Sequence, residues 1–235
     1  MIFEMRTYLM KPGSIPEVED KFGAGLPARA KLSRFGGFWR TEVGTLNQII
    51  HVWPYNDMNE RERIRADAIK QGIWPVKIQD SILEMESKIL YAAPFSPHFE
   101  PGEHGNLYEF RTYTYGPGQV TKVMEAWAPL VKASSAISPL IFAGYTDLGP
   151  LNQWVHVWAY KNMADRETRR AQAMKPGQWP PPRPEGVVLL KQTSIFAVPA
   201  KGPRCVRGGK RWSSPSARSG RASQARSTAS TCAAR

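Results

Sequence analysis

From Ile2 to Leu9 the side chains alternate in type and stop at Lys11-Pro12-Gly13, which predicts a strand closed by a turn. Behind Ser14-Ile15-Pro16-Glu17, where Ser14 offers an N-cap and Pro16 lies in the first turn, Val18, Phe22 and Leu26 follow at i+4 spacing and predict a helix. Residues 36–43 and 48–55 read as two strands joined by Gly44-Thr45-Leu46-Asn47. Asp57 with Glu60 caps a charged helix over 58–70, Trp74-Pro75 ends it, and 82–90 reads as a fourth strand. The order β-α-β-β-α-β is the ferredoxin-like plan.

The pattern then recurs at a constant shift of 105 residues, from Gly44 to Gly149. Leu46-Asn47-Gln48, His51-Val52-Trp53 and Tyr55 return as Leu151-Asn152-Gln153, His156-Val157-Trp158 and Tyr160. Glu4, Arg6, Thr7 and Tyr8 return as Glu109, Arg111, Thr112 and Tyr113, while Gly72, Trp74 and Pro75 return as Gly177, Trp179 and Pro180. Val120, Val123, Trp127 and Val131 carry the first helix into the second copy. A repeat of this length is a duplicated folding module. The organisation expected is a first repeat over 1–91, a linker over 92–106 rich in Pro and Gly, a second repeat over 107–199 and a basic tail over 200–235. Two such sheets packed face to face give an α+β fold, a pseudo-twofold barrel with its helices outside.

Charge alters this picture only at the tail. Of the formal net charge of +12, nine Lys and Arg with no acid fall in residues 201–235, leaving +3 for residues 1–200. That distribution speaks against nucleic acid as a partner of the folded body. The tail lacks the apolar content to bury a core and reads as a disordered or non-native extension, with a basic arm for RNA or acidic lipid as the alternative. Both cysteines, Cys205 and Cys232, sit in it, so the body has no thiol chemistry. Met1 leads directly into the first repeated segment, no apolar run is long enough to span a bilayer, and a cytoplasmic protein is expected. His98, Glu100, Glu103 and His104 read as solvated linker residues, and neither metal nor cofactor is expected.

Period two divides each strand into two faces. One carries Phe3, Met5, Ile50 and Val52 and is expected beneath the helices. The other carries Glu4, Arg6, Tyr8, His51 and Trp53, matched by Glu109, Arg111, Tyr113, His156 and Trp158, and is expected in the lumen between the repeats. Aromatic walls with a few polar groups suit a small-molecule pocket. There His51 and His156 are candidate general bases, and the other eight residues are candidate ligand contacts. The same Glu-x-Arg pairs fit equally a buried ion pair that fixes how the halves meet. Arg61-Glu62-Arg63 and Arg166-Glu167 read as solvated helix faces.

With Glu4-Met5-Arg6-Thr7-Tyr8, Lys11-Pro12-Gly13, Gly44-x-Leu46-Asn47-Gln48-x-x-His51-Val52-Trp53-x-Tyr55 and Arg61, and the second copy from Glu109 to Arg166, the chain resembles the NIPSNAP family. The resemblance covers residues 1–199 and implies the dimeric α+β barrel fold. It implies no agreed reaction. Two readings follow: a homo-oligomeric small-molecule binder, or cofactor-independent enzyme, working in the lumen; or a non-catalytic oligomeric scaffold.

Overall fold

The computed structural model describes residues 1–99, 104–175 and 179–201. The first repeat holds β1 (Ile2–Met10), α1 (Ile15–Arg29), β2 (Gly37–Val43), β3 (Gln48–Tyr55), α2 (Met58–Lys70) and β4 (Ile82–Ala92). The second holds β5 (Leu107–Tyr115), α3 (Val120–Trp127), α4 (Val131–Ile137), β6 (Leu140–Leu148), β7 (Gln153–Tyr160), α5 (Met163–Met174) and β8 (Leu189–Pro199). The β-α-β-β-α-β order is therefore met twice. Where one helix is expected in the second copy there are two, separated at Ala128-Pro129-Leu130, where proline has no N–H to give the carbonyl four residues back. Ser14 does not cap α1 through its side chain; its hydroxyl donates to the Lys11 carbonyl at 2.7 Å. Asp57 does cap α2, accepting from the Glu60 N–H at 2.8 Å.

All the sheet pairs are antiparallel, and the strands close a barrel in the order β1-β3-β2-β8-β5-β7-β6-β4. The last strand of each repeat stays beside its own first strand, β4 with β1 and β8 with β5, and its C-terminal end also pairs with the other repeat: β4 with β6, and β8 with β2. The turn before β3 explains two repeated residues. Gly44 and Asn47 have φ of 108° and 55°, and Gly149 and Asn152 repeat them at 103° and 57°. Left-handed backbone is cheap for Gly and tolerated by Asn.

The faces are the reverse of the expectation. Phe3, Met5, Ile50, Val52, Leu90, Tyr108, Phe110, Phe142, Val155, Val157 and Ala197 form one buried cluster drawn from both repeats, which fills the lumen. The face carrying Tyr8, His51 and Trp53 turns outward, under α1 and α2, and its counterpart lies under α3, α4 and α5. The physical reason is that helices supply what a second sheet cannot: arginines long enough to reach a buried carboxylate. Both faces are buried, so period two separates them without saying which lies inside. The proposed seam between the repeats is thus two separate sites, one per repeat.

No described helix is long and apolar enough to cross a membrane. The tail expectation, with both cysteines, lies outside the described residues beyond Lys201, as do Glu100 and Glu103 of the linker.

Candidate functional site

In the first repeat, Glu4 on β1 is fully buried and gathers cations. Its Oε1 accepts from Arg6 at 2.9 Å, Arg61 at 2.7 Å, Arg65 at 3.5 Å and Ser87 at 3.2 Å. Burial alone raises a carboxyl pKa; the hydrogen bond from Arg61 and the charges of Arg65 and Arg6 outweigh it and bring Glu4 down to about 2. Arg6 is directly across the ladder from His51, and Glu4 from Trp53. In the second repeat Glu109 accepts from Arg111 at 3.1 Å, from Arg166 through two bonds of 2.9 and 2.8 Å, and from Ser194 at 2.8 Å. Arg61 and Arg166 are therefore not solvated helix faces but the partners of buried carboxylates. Their recurrence at the 105-residue shift was the signal.

The histidines share one geometry. Trp53 Nε1 donates to His51 Nδ1, and Trp158 Nε1 to His156 Nδ1, each at 2.7 Å. Burial, with the Arg6 charge next, lowers the His51 pKa to about 3. Burial, then Arg111 and Arg170, puts His156 well below its ordinary value. Each ring is thus neutral, and with Nδ1 accepting, its single proton is on Nε2. Both Nε2 atoms are buried without a hydrogen-bond partner.

Around these matching cores the repeats differ. Arg29 of α1 is buried, with its guanidinium 4.4 Å from the Trp53 ring centre, donating to Tyr55 Oη at 3.0 Å and Ser33 Oγ at 2.6 Å. Phe38 of β2 stacks on Phe22 at 4.5 Å. These side chains fill the space beside His51. At the shift of 105, Arg29 becomes Ser134 and Phe38 becomes Ala143. Phe22 becomes Trp127, which leans on His156 at 4.6 Å and on Trp179 at 4.6 Å. The exchange leaves a cavity of about 430 Å³ beside His156, reached by Trp158, Tyr160, Tyr113 and Ser134. That volume lies within the range of small-molecule sites.

The structure therefore brings Arg111, Tyr113, His156 and Trp158 to one cavity, with Glu109 holding Arg111 from behind. Their counterparts Glu4, Arg6, Tyr8, His51 and Trp53 form a packed core. Arg29, Arg170 and Trp179 were missed as site residues. Trp179 and Arg170 recur as Trp74 and Arg65, but Arg29 is marked only by failing to recur. Among the described residues no cluster of His, Cys, Asp and Glu is arranged to hold a metal ion.

The NIPSNAP family pattern matches residues 3–97 and again 108–202. A NipSnap homologue of Dictyostelium discoideum is 28% identical over 186 residues, covering 76% of this chain and 78% of that protein. The human protein NipSnap homolog 3A is 27% identical over 172 residues, covering 70% and 69%. Among solved structures, a candidate monooxygenase of Fusobacterium nucleatum aligns with a TM-score of 0.59 at 11% identity, covering 85% of this chain and 92% of that one. An anthrone oxidase-like protein aligns at 0.53 with 9% identity, covering 84% and 90%. At these identities the likeness is one of fold.

Proposed function

The chain belongs to the NIPSNAP family, and on that premise we propose that it binds a small molecule in its second repeat alone, between the outer face of β5 and β7 and helices α3 to α5. The observation that carries this reading is the exchange of Arg29 and Phe38 for Ser134 and Ala143, which turns a filled core into an open one. The lumen is not the place for a ligand, because Phe3, Phe110, Phe142 and Val157 pack it. His156 serves the ligand as a hydrogen-bond donor through Nε2, in place of the general-base role expected for it and for His51. A base needs a free lone pair, and the Trp158 N–H occupies the one on Nδ1.

The test is titration of the full chain with 2-naphthoate and with its neutral analogue 2-naphthamide. At least one binds with a stoichiometry of one, and Ser134→Arg, which restores the plug of the first repeat, abolishes that binding while leaving the unfolding transition intact. Absence of binding by both probes, or unchanged binding in Ser134→Arg, sinks the reading.

A second reading, assembly of copies of the chain, has one observation in its favour. β4 and β8 pair with β6 and β2 only through their C-terminal ends, and residues 83–87 and 190–194 before them are exposed, including Leu83, Met85 and Leu190. Exposed apolar strand is a surface that proteins commonly cover. Sedimentation of the full chain against Leu83→Lys with Leu190→Lys tests it: a dimer that turns monomeric in the variant supports assembly, and a wild-type monomer overturns it.

A further inference from the structure

The cavity carries charge of one sign. Arg111, Arg170 and Arg183 line it, and among its described lining residues there is no Asp or Glu. The two repeats also differ in how they use their matching donors. In the first, Arg65 reaches Glu4 Oε1 at 3.5 Å and Arg6 Nε donates to Tyr8 Oη at 2.6 Å. In the second, Arg166, Arg111 and Ser194 take Glu109, and its partners do not include Arg170. Arg170 is half-buried and its guanidinium is not among the donors to Glu109, and Arg111 Nε is buried without an acceptor. His156, 2% exposed, adds a third donor at Nε2. Three nitrogen-bearing side chains thus line one cavity; two of them hold a buried N–H without an acceptor, and the matching Arg6 Nε has its partner in Tyr8.

Buried donors left unpaired are costly, and they cluster where a ligand completes them. Donors alone, two of them on permanently charged guanidinium groups, call for an acceptor that is itself negative. One stretch of the wall is flat and apolar: Trp158 and Trp127 each meet Trp179 edge to face, at 5.5 and 4.6 Å. Such edges and faces favour a ring over a flexible chain.

Resting on the ligand-cavity reading above, we propose that the second repeat binds a small aromatic carboxylate, its carboxylate received by Arg111, Arg170 and His156 and its ring by Trp127, Trp158 and Trp179. The arrangement excludes cations, because no acid faces them. It leaves the first repeat without a matching site, since there Arg29 fills the same space with its own charge.

The experiment compares 2-naphthoate, 2-naphthamide and 2-naphthylmethylamine on the full chain, read by quenching of tryptophan fluorescence and by calorimetry. The expected order is naphthoate tighter than naphthamide by about tenfold or more, as a charge-assisted bond exceeds a neutral one, with the amine weakest. The preference shrinks to within about threefold in Arg170→Gln and falls with added salt. It is unchanged in Arg65→Gln, the matching arginine of the first repeat. Equal binding of the acid and the amide overturns the anion assignment while leaving the cavity reading in place. Tighter binding of the amine, or a preference that survives Arg170→Gln, also overturns it. Failure of all three probes to bind removes both.

Discussion

Arg29 and Ser134 hold the same place in the two repeats, 105 residues apart, and each faces a tyrosine that its own repeat supplies. Arg29 donates to Tyr55, whereas Ser134 and Tyr160 both line a cavity between the sheet and the helices. One repeat carries a plug, and the other does not.

If the plug is all that separates the repeats, removing it makes a second site. Arg29→Ser with Phe38→Ala is expected to raise the stoichiometry of 2-naphthoate from one to two by calorimetry. The Phe38 change alone should lower stability by about 3–5 kcal/mol, the usual range for deleting a buried phenyl group. A stoichiometry that stays at one in a folded variant shows that the first repeat lacks more than space.

The carboxylate of Glu4 is tied to three arginines and Ser87, that of Glu109 to two arginines and Ser194, and both carboxylates are fully buried. Glu109→Gln leaves Arg111 and Arg166 facing a neutral group in a buried place. A loss of about 3–5 kcal/mol in urea unfolding is expected, since removing one partner strands the other charges. A loss below about 1 kcal/mol would show that solvent reaches the pair.

Stability should fall on acidification in two stages. The folded pKa of His51 lies at about 3, below its ordinary 6.5, and that of His156 is also lowered. A group depressed in this way stabilises the fold fully above pH 6.5 and loses that contribution as pH falls towards the folded value, at about 1.4 kcal/mol per pH unit for each imidazole. Glu4, brought from 4.5 to about 2, adds its loss below pH 4.5. Urea midpoints at pH 7.5, 6, 5 and 4 check this. His51→Gln with His156→Gln should flatten the stage between 6.5 and 4.5.

Trp154 is fully buried, and its indole N–H has no acceptor. Its counterpart in the first repeat is Ile49, which needs none. Trp154→Phe removes a stranded donor from an aromatic cluster that includes Phe95 and Trp127. The expected change in the urea midpoint is small or stabilising, within about 1 kcal/mol. A loss above about 3 kcal/mol would mean that the ring volume dominates.

Much of the fold was readable. The turn at Gly44–Asn47 and the cap at Asp57 place β3 and α2 over the residues observed, and the repeat supplies the second half of the barrel. The ten candidate residues do lie on one face per repeat. Which way that face turns was not readable, because Phe3 and Glu4 are equally buried and alternation carries no sign. Nor was the plug. Arg29 lies on the buried side of an ordinary helical stripe, and only contact with Tyr55 and Trp53 separates it from a surface arginine. The difference between the repeats was present in the sequence as mismatch, at positions where agreement had drawn the attention.

The edge pairing of β4 with β6 and of β8 with β2, which closes the two repeats' sheets into one barrel, has a thermodynamic consequence. Each repeat keeps its own four strands together, but their edges are covered only by the other repeat and the lumen cluster of Phe3, Phe110 and Phe142 belongs to both, so the barrel is expected to melt as one cooperative unit. Free energy gained when a ligand fills the second repeat is then shared by the first, and a plug that never touches that ligand is held more firmly by it.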